Sequence, residues 1–448
     1  MTHETGLILF SLFAIVALVL MIGRWKVHPF IALTTVAIAI GFQSGMKLSM
    51  VAKNFQEGVG NTLGFLSLVV GLGLMLGKML AESGGAHVVA QNFIRLLGIK
   101  RLPWAMLLVA LVVGVPVFFA VGLLLLVPIV IAIARETKTP LIKIALPSLA
   151  GLSVAQGLLP PHPGPMISIE QLGANVGKTI FYGALVGLPT AIVAGPLYGF
   201  IVSKRLQVAV AEAKPSQACQ NPNYTPPGFA LTLLTMLLPV ILMLFSTLAD
   251  LLLAKESSAR EWADFVGSPI IAMLLAVLFA CYSFGYARGF NGKELLKFFE
   301  ECLAPGAGII LVVGAGGGLS KILDKGGLGS IIAQGVQHAS VSPLLLGWLV
   351  AASIRVAVGS ATVAITMASA IMAPVAATSP HLSKELLVLS MGAGSLFLSH
   401  VNDSGFWLVK ESFGLTVPQT LKTWSVMETS IGIVALLVIL AMSHWVQA

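Results

Sequence analysis

Charged side chains are scarce in this chain. Asp, Glu, Lys and Arg make up 10% of its 448 residues, against 57% hydrophobic ones, whereas soluble domains carry roughly 25% charged residues. A deficit of that size excludes a soluble globular protein and puts the chain in the polytopic membrane class. Cysteine is nearly absent: Cys219, Cys281 and Cys302 lie far apart, without Cys-x-x-Cys or Cys/His spacing. That excludes a disulfide framework and gives no metal site. Catalytic signatures are missing as well. There is no Gly-x-Ser-x-Gly elbow with partners and no His-Glu-x-x-His. Gly173–Thr179 falls one residue short of a phosphate-binding G-x-x-x-x-G-K-T and has no strand before it, and Gly71–Lys78 lacks the closing Ser or Thr. The chain reads as neither an enzyme nor a cofactor protein. Its net charge is +8, from 26 Lys and Arg against 18 Asp and Glu. These cations sit in short loops between apolar runs, so the positive-inside rule accounts for them and nucleic acid is not an expected partner.

The bulk of the chain is apolar runs of membrane length. A span needs about 20 such residues, so the sequence predicts an all-α polytopic membrane protein with about 10–12 transmembrane helices. Gly6–Gly23 has Glu4 before it and Arg24 and Lys26 after it. It reads as an uncleaved first span that starts outside and ends in the cytoplasm. Pro29–Gln43 is a shorter second span. Lys47–Gly58 reads as an amphipathic interfacial segment, Thr62–Leu80 as a Gly-rich span and Glu82–Leu97 as a connecting helix. Pro103–Val117 and Val121–Ala134 come next as separate runs, and Ile180–Val202 is a full span. Lys204–Pro227 is the one long polar stretch and the natural midpoint. It divides the chain into an N-terminal membrane repeat (1–203), a polar loop (204–227) and a C-terminal membrane repeat (228–448). Phe229–Leu253 and Ile270–Tyr286 are further spans, and Gly292–Cys302 is amphipathic.

Two interruptions organise the rest. Gly157–Pro165 (Gly-Leu-Leu-Pro-Pro-His-Pro-Gly-Pro) breaks an apolar segment from Leu141 to about Val176. No continuous helix runs through it, because proline lacks the N–H and clashes with the preceding turn. Each half is short, which predicts a re-entrant hairpin. Ser399–Trp407 (Ser-His-Val-Asn-Asp-Ser-Gly-Phe-Trp) breaks a later run in the same manner. Broken backbone at membrane depth is tolerated only where it is buried in protein or lines a watery cavity. Paired breaks in the two halves point to a transporter's binding site.

The halves also match in sequence. Val69–Gly73 aligns with Val312–Gly316, Lys78–Leu80 with Lys321–Leu323, Gly84 with Gly327 and Ala90-Gln91 with Ala333-Gln334, all at one ungapped offset. Ala120–Gly122 lies on Ala357–Gly359 with a small drift. The expectation is two inverted repeats, each carrying a re-entrant helical hairpin.

Leu158–Pro165, Gly359–Val363 and Ser399–Trp407 resemble the signatures of the gluconate permease family. The resemblance extends over nearly the whole chain, including Gly77–Leu80 and Gln419–Trp424. It implies a multi-pass importer in the bacterial inner membrane, coupling gluconate or a related small sugar acid to protons. It also implies kinship with the ion-transporter superfamily: scaffold and transport domains, two re-entrant hairpins, usually a homodimer, and elevator-like motion. One position departs from the pattern. Family members usually carry Glu or Asp after the aromatic pair, as in Phe-Phe-Glu-Val-Gly, where this chain has Ala120 after Phe118-Phe119. This is either divergence or a carboxylate removed by substitution. The second would fit a chain whose proton coupling has been disabled; with Ala120 in place, weakened coupling is expected.

Individual residues carry two readings each. Asp403 lies in an apolar surround, where a charge costs roughly 2.5–3.5 kcal/mol on insertion scales. It is a candidate for substrate binding and proton coupling, or a helix N-cap. Asn402, Ser404 and Gly405 offer donors for sugar hydroxyls and a carboxylate, or simply turn chemistry. His162 is a candidate for both substrate binding and proton relay, and His400 a weaker one; the alternative is a satisfied structural donor. Ser360 and Thr362 at the start of an apolar run would present a helix N-terminus to a carboxylate, or allow close helix packing. Arg355 either pairs with the substrate or marks the end of a span, and the second is the simpler reading. Lys78 and Lys321 read as snorkelling cations. Other small hydroxy or amino acids such as D-serine or glycerate are alternative cargoes, and a channel or membrane enzyme is the more distant alternative.

Overall fold

The computed structural model describes residues 10–446 except 11, 12, 15, 19, 23, 207, 209–224, 255 and 327–341. Half of the proposed span Gly6–Gly23, most of the polar loop, and the repeat matches at Gly327 and Ala333-Gln334 therefore fall outside it. All regular structure among the described residues is helical. Among the described residues, eight helices are long and apolar enough to cross a bilayer, or up to nine if a bent pair counts as one span.

Helix α1 (Pro29–Gln43) precedes the first repeat: α2 (Leu48–Glu82), α3 (Gly85–Leu97), α4 (Leu102–Gly114), α5 (Phe119–Glu136), α6 (Leu141–Leu158), α7 (Pro163–Leu172) and α8 (Val176–Ser203). The connecting helices are α9 (Phe229–Leu252), α10 (Ser258–Gly267) and α11 (Pro269–Arg288). The series then recurs as α12 (Gly292–Lys325), α13 (Pro343–Val358), α14 (Ala361–Ala377), α15 (Lys384–Leu396), α16 (Ser404–Phe413) and α17 (Val417–Ser443).

The copies are inverted. α2 and α12 hold equivalent places and pack along their lengths. A Cβ on Gly318 would meet Phe55, one on Gly314 would meet Leu63, and one on Gly306 would meet Leu74. Contacts that rise along one helix fall along the other, so the two run antiparallel. Glycine makes the crossing possible: a Cβ on Gly58 would lie 2.5 Å from the Gly317 carbonyl oxygen. Small residues let backbones approach this closely in a membrane. This corrects the expectation of an interfacial segment over Lys47–Gly58 separate from Thr62–Leu80. Gly58 serves the crossing rather than a turn, and α2 runs unbroken for 35 residues. At 1.5 Å per residue that is about 52 Å, longer than the roughly 30 Å hydrocarbon layer. Likewise Gly292–Cys302 is the opening of α12, started by a capping box between Asn291 and Glu294.

The hairpins lie elsewhere than the prolines indicate. Leu141–Leu172 passes through as one interrupted span, without a bend above 40°. Proline removes a hydrogen bond at the break but does not reverse the chain. The turning-back occurs just before it. A Cβ on Gly151 would meet Ala110 and Leu107, and one on Gly114 would meet Ala155, so α4 ascends alongside α6. Phe119 N–H then donates to Gln156 Oε1 at 2.9 Å, and Gly122 faces Leu152, so α5 descends. The hairpin is α4–α5, with its tip at residues 115–118. In the second copy α13 ascends along α15, as Ser390 Oγ donates to the Leu344 carbonyl and Gly394 abuts Trp348 and Ala351. α14 returns, with Ser369 facing Met391, and the tip is Gly359-Ser360. Each repeat thus pairs one hairpin with one broken span.

The broken spans form the core. Leu141–Leu172 is 89% buried in its most apolar window, against 28% for Phe229–Asp250, whose apolar face is left to lipid. The two breaks meet: a Cβ on Gly392 would collide with the Gly157 carbonyl oxygen, and one on Gly157 would strike Leu396.

Candidate functional site

Each break exposes helix ends that need partners, and the hairpin tips supply them. Val356 at the end of α13 offers its carbonyl to the break in the second copy. His400 Nε2 lies 3.0 Å from that oxygen, and Asn402 Nδ2 donates to it at 2.8 Å. In the first copy the His162 ring hydrogen-bonds the Gly114 carbonyl and stands edge-on to Phe118. The two histidines therefore do equivalent work, each fastening a hairpin to the neighbouring broken span. Gly359 has φ +81°, and a Cβ there would collide with the Asn402 carbonyl. Only glycine fits between tip and break.

New helices begin beside these contacts. Ser360 caps α14, its Oγ accepting from Val363 N–H. Asp403 caps α16, its Oδ1 accepting from Gly405 N–H at 2.8 Å. Both caps, with the start of α5, face a cavity of about 580 Å³, within the ~300–1,000 Å³ usual for small-molecule sites. Hairpin tips line it through Phe118–Ala120 and Ser360–Val363, and broken spans through Ser153, Gln156, Leu396 and Asp403–Gly405. Trp424 and Glu428 of α17, and Gly308, Ile309 and Val312 of α12, close it.

Arg355 dominates the electrostatics. It is 3% exposed, and its Nη2 donates to Asp403 Oδ2 at 2.5 Å. Ser399 Oγ donates to the same carboxylate, and Trp424 Nε1 donates to Ser399 Oγ at 2.7 Å. The Nε and Nη1 groups of Arg355 have no partner. A buried guanidinium with idle donors on a cavity wall, beside the positive ends of helices, suits an anion.

Ser360, Thr362, Asp403, Ser404, Gly405 and Ala120 all reach this wall. His162 and Asn402 do not; both are spent on the hairpin fastenings, though Asn402 Oδ1 is left without a partner. The reading of Arg355 as the end mark of a span is corrected: it is buried and paired at the centre of the cluster. Ser153, Gln156, Trp424 and Glu428 escaped sequence reasoning. For Glu428 the signal was available, as a lone carboxyl inside the last apolar run, and intramembrane acids are functional by default.

A second cavity, of about 280 Å³, lies between the same bodies toward the other end of α14. Gly58, Thr62, Gly317 and Lys321 line it on one side, and Gln171, Pro374 and Ala377 on the other.

The family described as GntP family permease matches residues 6–445. A gluconate permease of Pseudomonas aeruginosa is 48% identical over 444 residues, covering 99% of each chain. A gluconate permease of Zymomonas mobilis is 46% identical over 97% of each. The Gnt-II system L-idonate transporter of Escherichia coli K12 is 38% identical over 95% of this chain and 96% of its own. Among solved structures, the YdaH transporter of Alcanivorax borkumensis has a similar fold, with TM-score 0.68 at 16% identity over 93% of this chain and 98% of that one. Neisseria gonorrhoeae MtrF gives TM-score 0.67 at 16% identity, over 96% of this chain and 97% of its own.

Proposed function

This chain belongs to the GntP permease family, and from that premise we propose that it imports gluconate or a closely related sugar acid together with protons. It works in the bacterial inner membrane as a homodimer, by elevator-type alternating access. The observation that carries the substrate reading is Arg355. The residue lines a cavity of sugar-acid size, between helix N-termini, and its Nε and Nη1 donors have no partner. The substrate carboxylate docks against an unpartnered edge of that guanidinium. The polyol chain takes hydrogen bonds from Ser153, Gln156, Ser360, Thr362 and Ser404, groups that both donate and accept. Gluconate and L-idonate are stereoisomers, so the same wall serves either, and the names of the relatives support both.

Two cavities support the proposed motion. Both lie between α12 and the body of hairpins and broken spans, but toward different ends of α12 and α14. Sliding that body along the long helices would close one gap as the other opens. His162 and His400 hold each hairpin to its broken span, so site and body travel as a unit.

Uptake of labelled gluconate into vesicles, with and without an inward proton gradient, tests the proposal. Saturable uptake competed by L-idonate, and poorly by D-serine or glycerate, is expected. Ala120→Glu, which adds a carboxyl to the cavity wall at the start of α5, should steepen the response to the gradient. No saturable uptake by either form would refute the reading. Native mass spectrometry reads the oligomeric state.

A further inference from the structure

We infer that Glu428 of α17 is the group that carries the proton through the transport cycle; the inference rests on the import reading. Glu428 is 1% exposed, lies within a membrane span and lines the central cavity. Its carboxyl is hydrogen-bonded to Ser153 of α6, and its Oε1 has no partner. The titratable residues on the cavity wall, among those described, are His28 at the start of α1, Arg355 at the end of α13, Asp403 at the cap of α16, and Glu428 itself.

The two carboxyls are held differently. Asp403 accepts from Arg355 Nη2, from Ser399 Oγ and from Gly405 N–H. A proton placed there would neutralise the partner of Arg355 and weaken all three of those bonds, the cap of α16 among them. Glu428 has a hydroxyl on one side and an idle oxygen on the other, so a proton there disrupts nothing.

Charge balance makes that proton useful. With both carboxyls ionised and His28 neutral, Arg355 is outnumbered and the wall carries one surplus negative charge. An arriving sugar-acid carboxylate adds another. Like charges in a poorly hydrated site repel far more strongly than in bulk water. A proton taken from the outer water by the Glu428 carboxylate removes the surplus, so that anion and proton load as a neutral pair. When the site opens inward, Glu428 O–H returns the same proton to the inner water as the anion leaves. Each transfer exchanges one O–H bond for another, between a hydronium ion and the Glu428 carboxylate on loading and the reverse on release. Asp403 keeps its donors throughout, and the free N–H groups of Arg355 remain for the substrate.

The test uses the full chain reconstituted in proteoliposomes, as wild type, Glu428→Gln and Glu428→Asp, with labelled gluconate. The amide imitates the protonated acid. Glu428→Gln should retain gluconate–gluconate exchange within a few-fold of wild type. It should lose gradient-driven accumulation by at least about tenfold, and its gluconate affinity should no longer tighten as pH falls. Glu428→Asp should restore part of both. Accumulation in Glu428→Gln equal to wild type, or an unchanged pH dependence of binding, overturns the assignment. Loss of exchange and binding together in that variant overturns it as well, since the neutral form should bind. Absence of gradient-driven uptake in the wild type would instead sink the import reading itself.

Discussion

Arg355 and Asp403, separated by 48 positions in sequence, meet as a buried ion pair at 2.5 Å. The pair joins the last turn of the second hairpin's first arm to the cap of the helix after the second break. It also leaves Nε and Nη1 of the arginine aimed at nothing within the protein. Removing one member of a buried pair costs about 3–5 kcal/mol, because the other charge is left stranded.

Arg355→Ala should therefore lower the thermal midpoint and weaken gluconate binding by more than about 100-fold. The double variant Arg355→Ala/Asp403→Ala should regain part of the thermal stability and none of the binding. Thermal unfolding in detergent, alongside equilibrium binding of labelled gluconate, measures both. If the double variant binds normally, the guanidinium has no role in recognition.

Gly359→Ala tests the hairpin tip. The new methyl group would be driven into the Asn402 backbone at a left-handed φ, a conformation that costs a non-glycine residue about 1–2 kcal/mol even without a clash. The variant should insert in the membrane yet lose most uptake, because tip and break can no longer close together. Full activity in this variant would mean that the tip does not need to lie against residue 402.

The histidines make a sharper contrast. His162 is buried against the Gly114 carbonyl and His400 is half-buried against that of Val356. Losing the His162 bond strands a buried acceptor, at about 1–3 kcal/mol, whereas the Val356 carbonyl keeps Asn402 Nδ2 when His400 is lost. His162→Ala should lower the melting temperature and slow uptake while leaving the pH of half-maximal uptake where it was; His400→Ala should do the same more mildly. A displaced pH profile in either variant would turn the fastening into a proton relay.

Much of this protein was legible residue by residue. The charge deficit and the long apolar runs assigned it to the bilayer, because lipid solvates no unpaired amide and few charges. The proline- and glycine-rich breaks and the matched Gly-rich runs located the repeat and the neighbourhood of the site, since each is a local property of the backbone. Asp403 was recognisable as a cap, and Ser360 as standing at a helix start, from their side chains alone. The direction of the chain beyond a break was not legible. Pro160 and Pro161 stop a hydrogen-bond ladder but set no direction, and only packing against α4 and α5 makes Leu141–Leu172 pass through while residues 115–118 turn back. That Lys47–Gly58 and Thr62–Leu80 are one helix was not legible either, since the close crossing at Gly58 needs α12 beside it. Arg355 and Glu428 gave no sign of their neighbours, because the groups that surround them come from other helices. Sequence marks where a chain can break or bury a charge; which partner meets it there is decided only when distant helices are brought within a few ångströms.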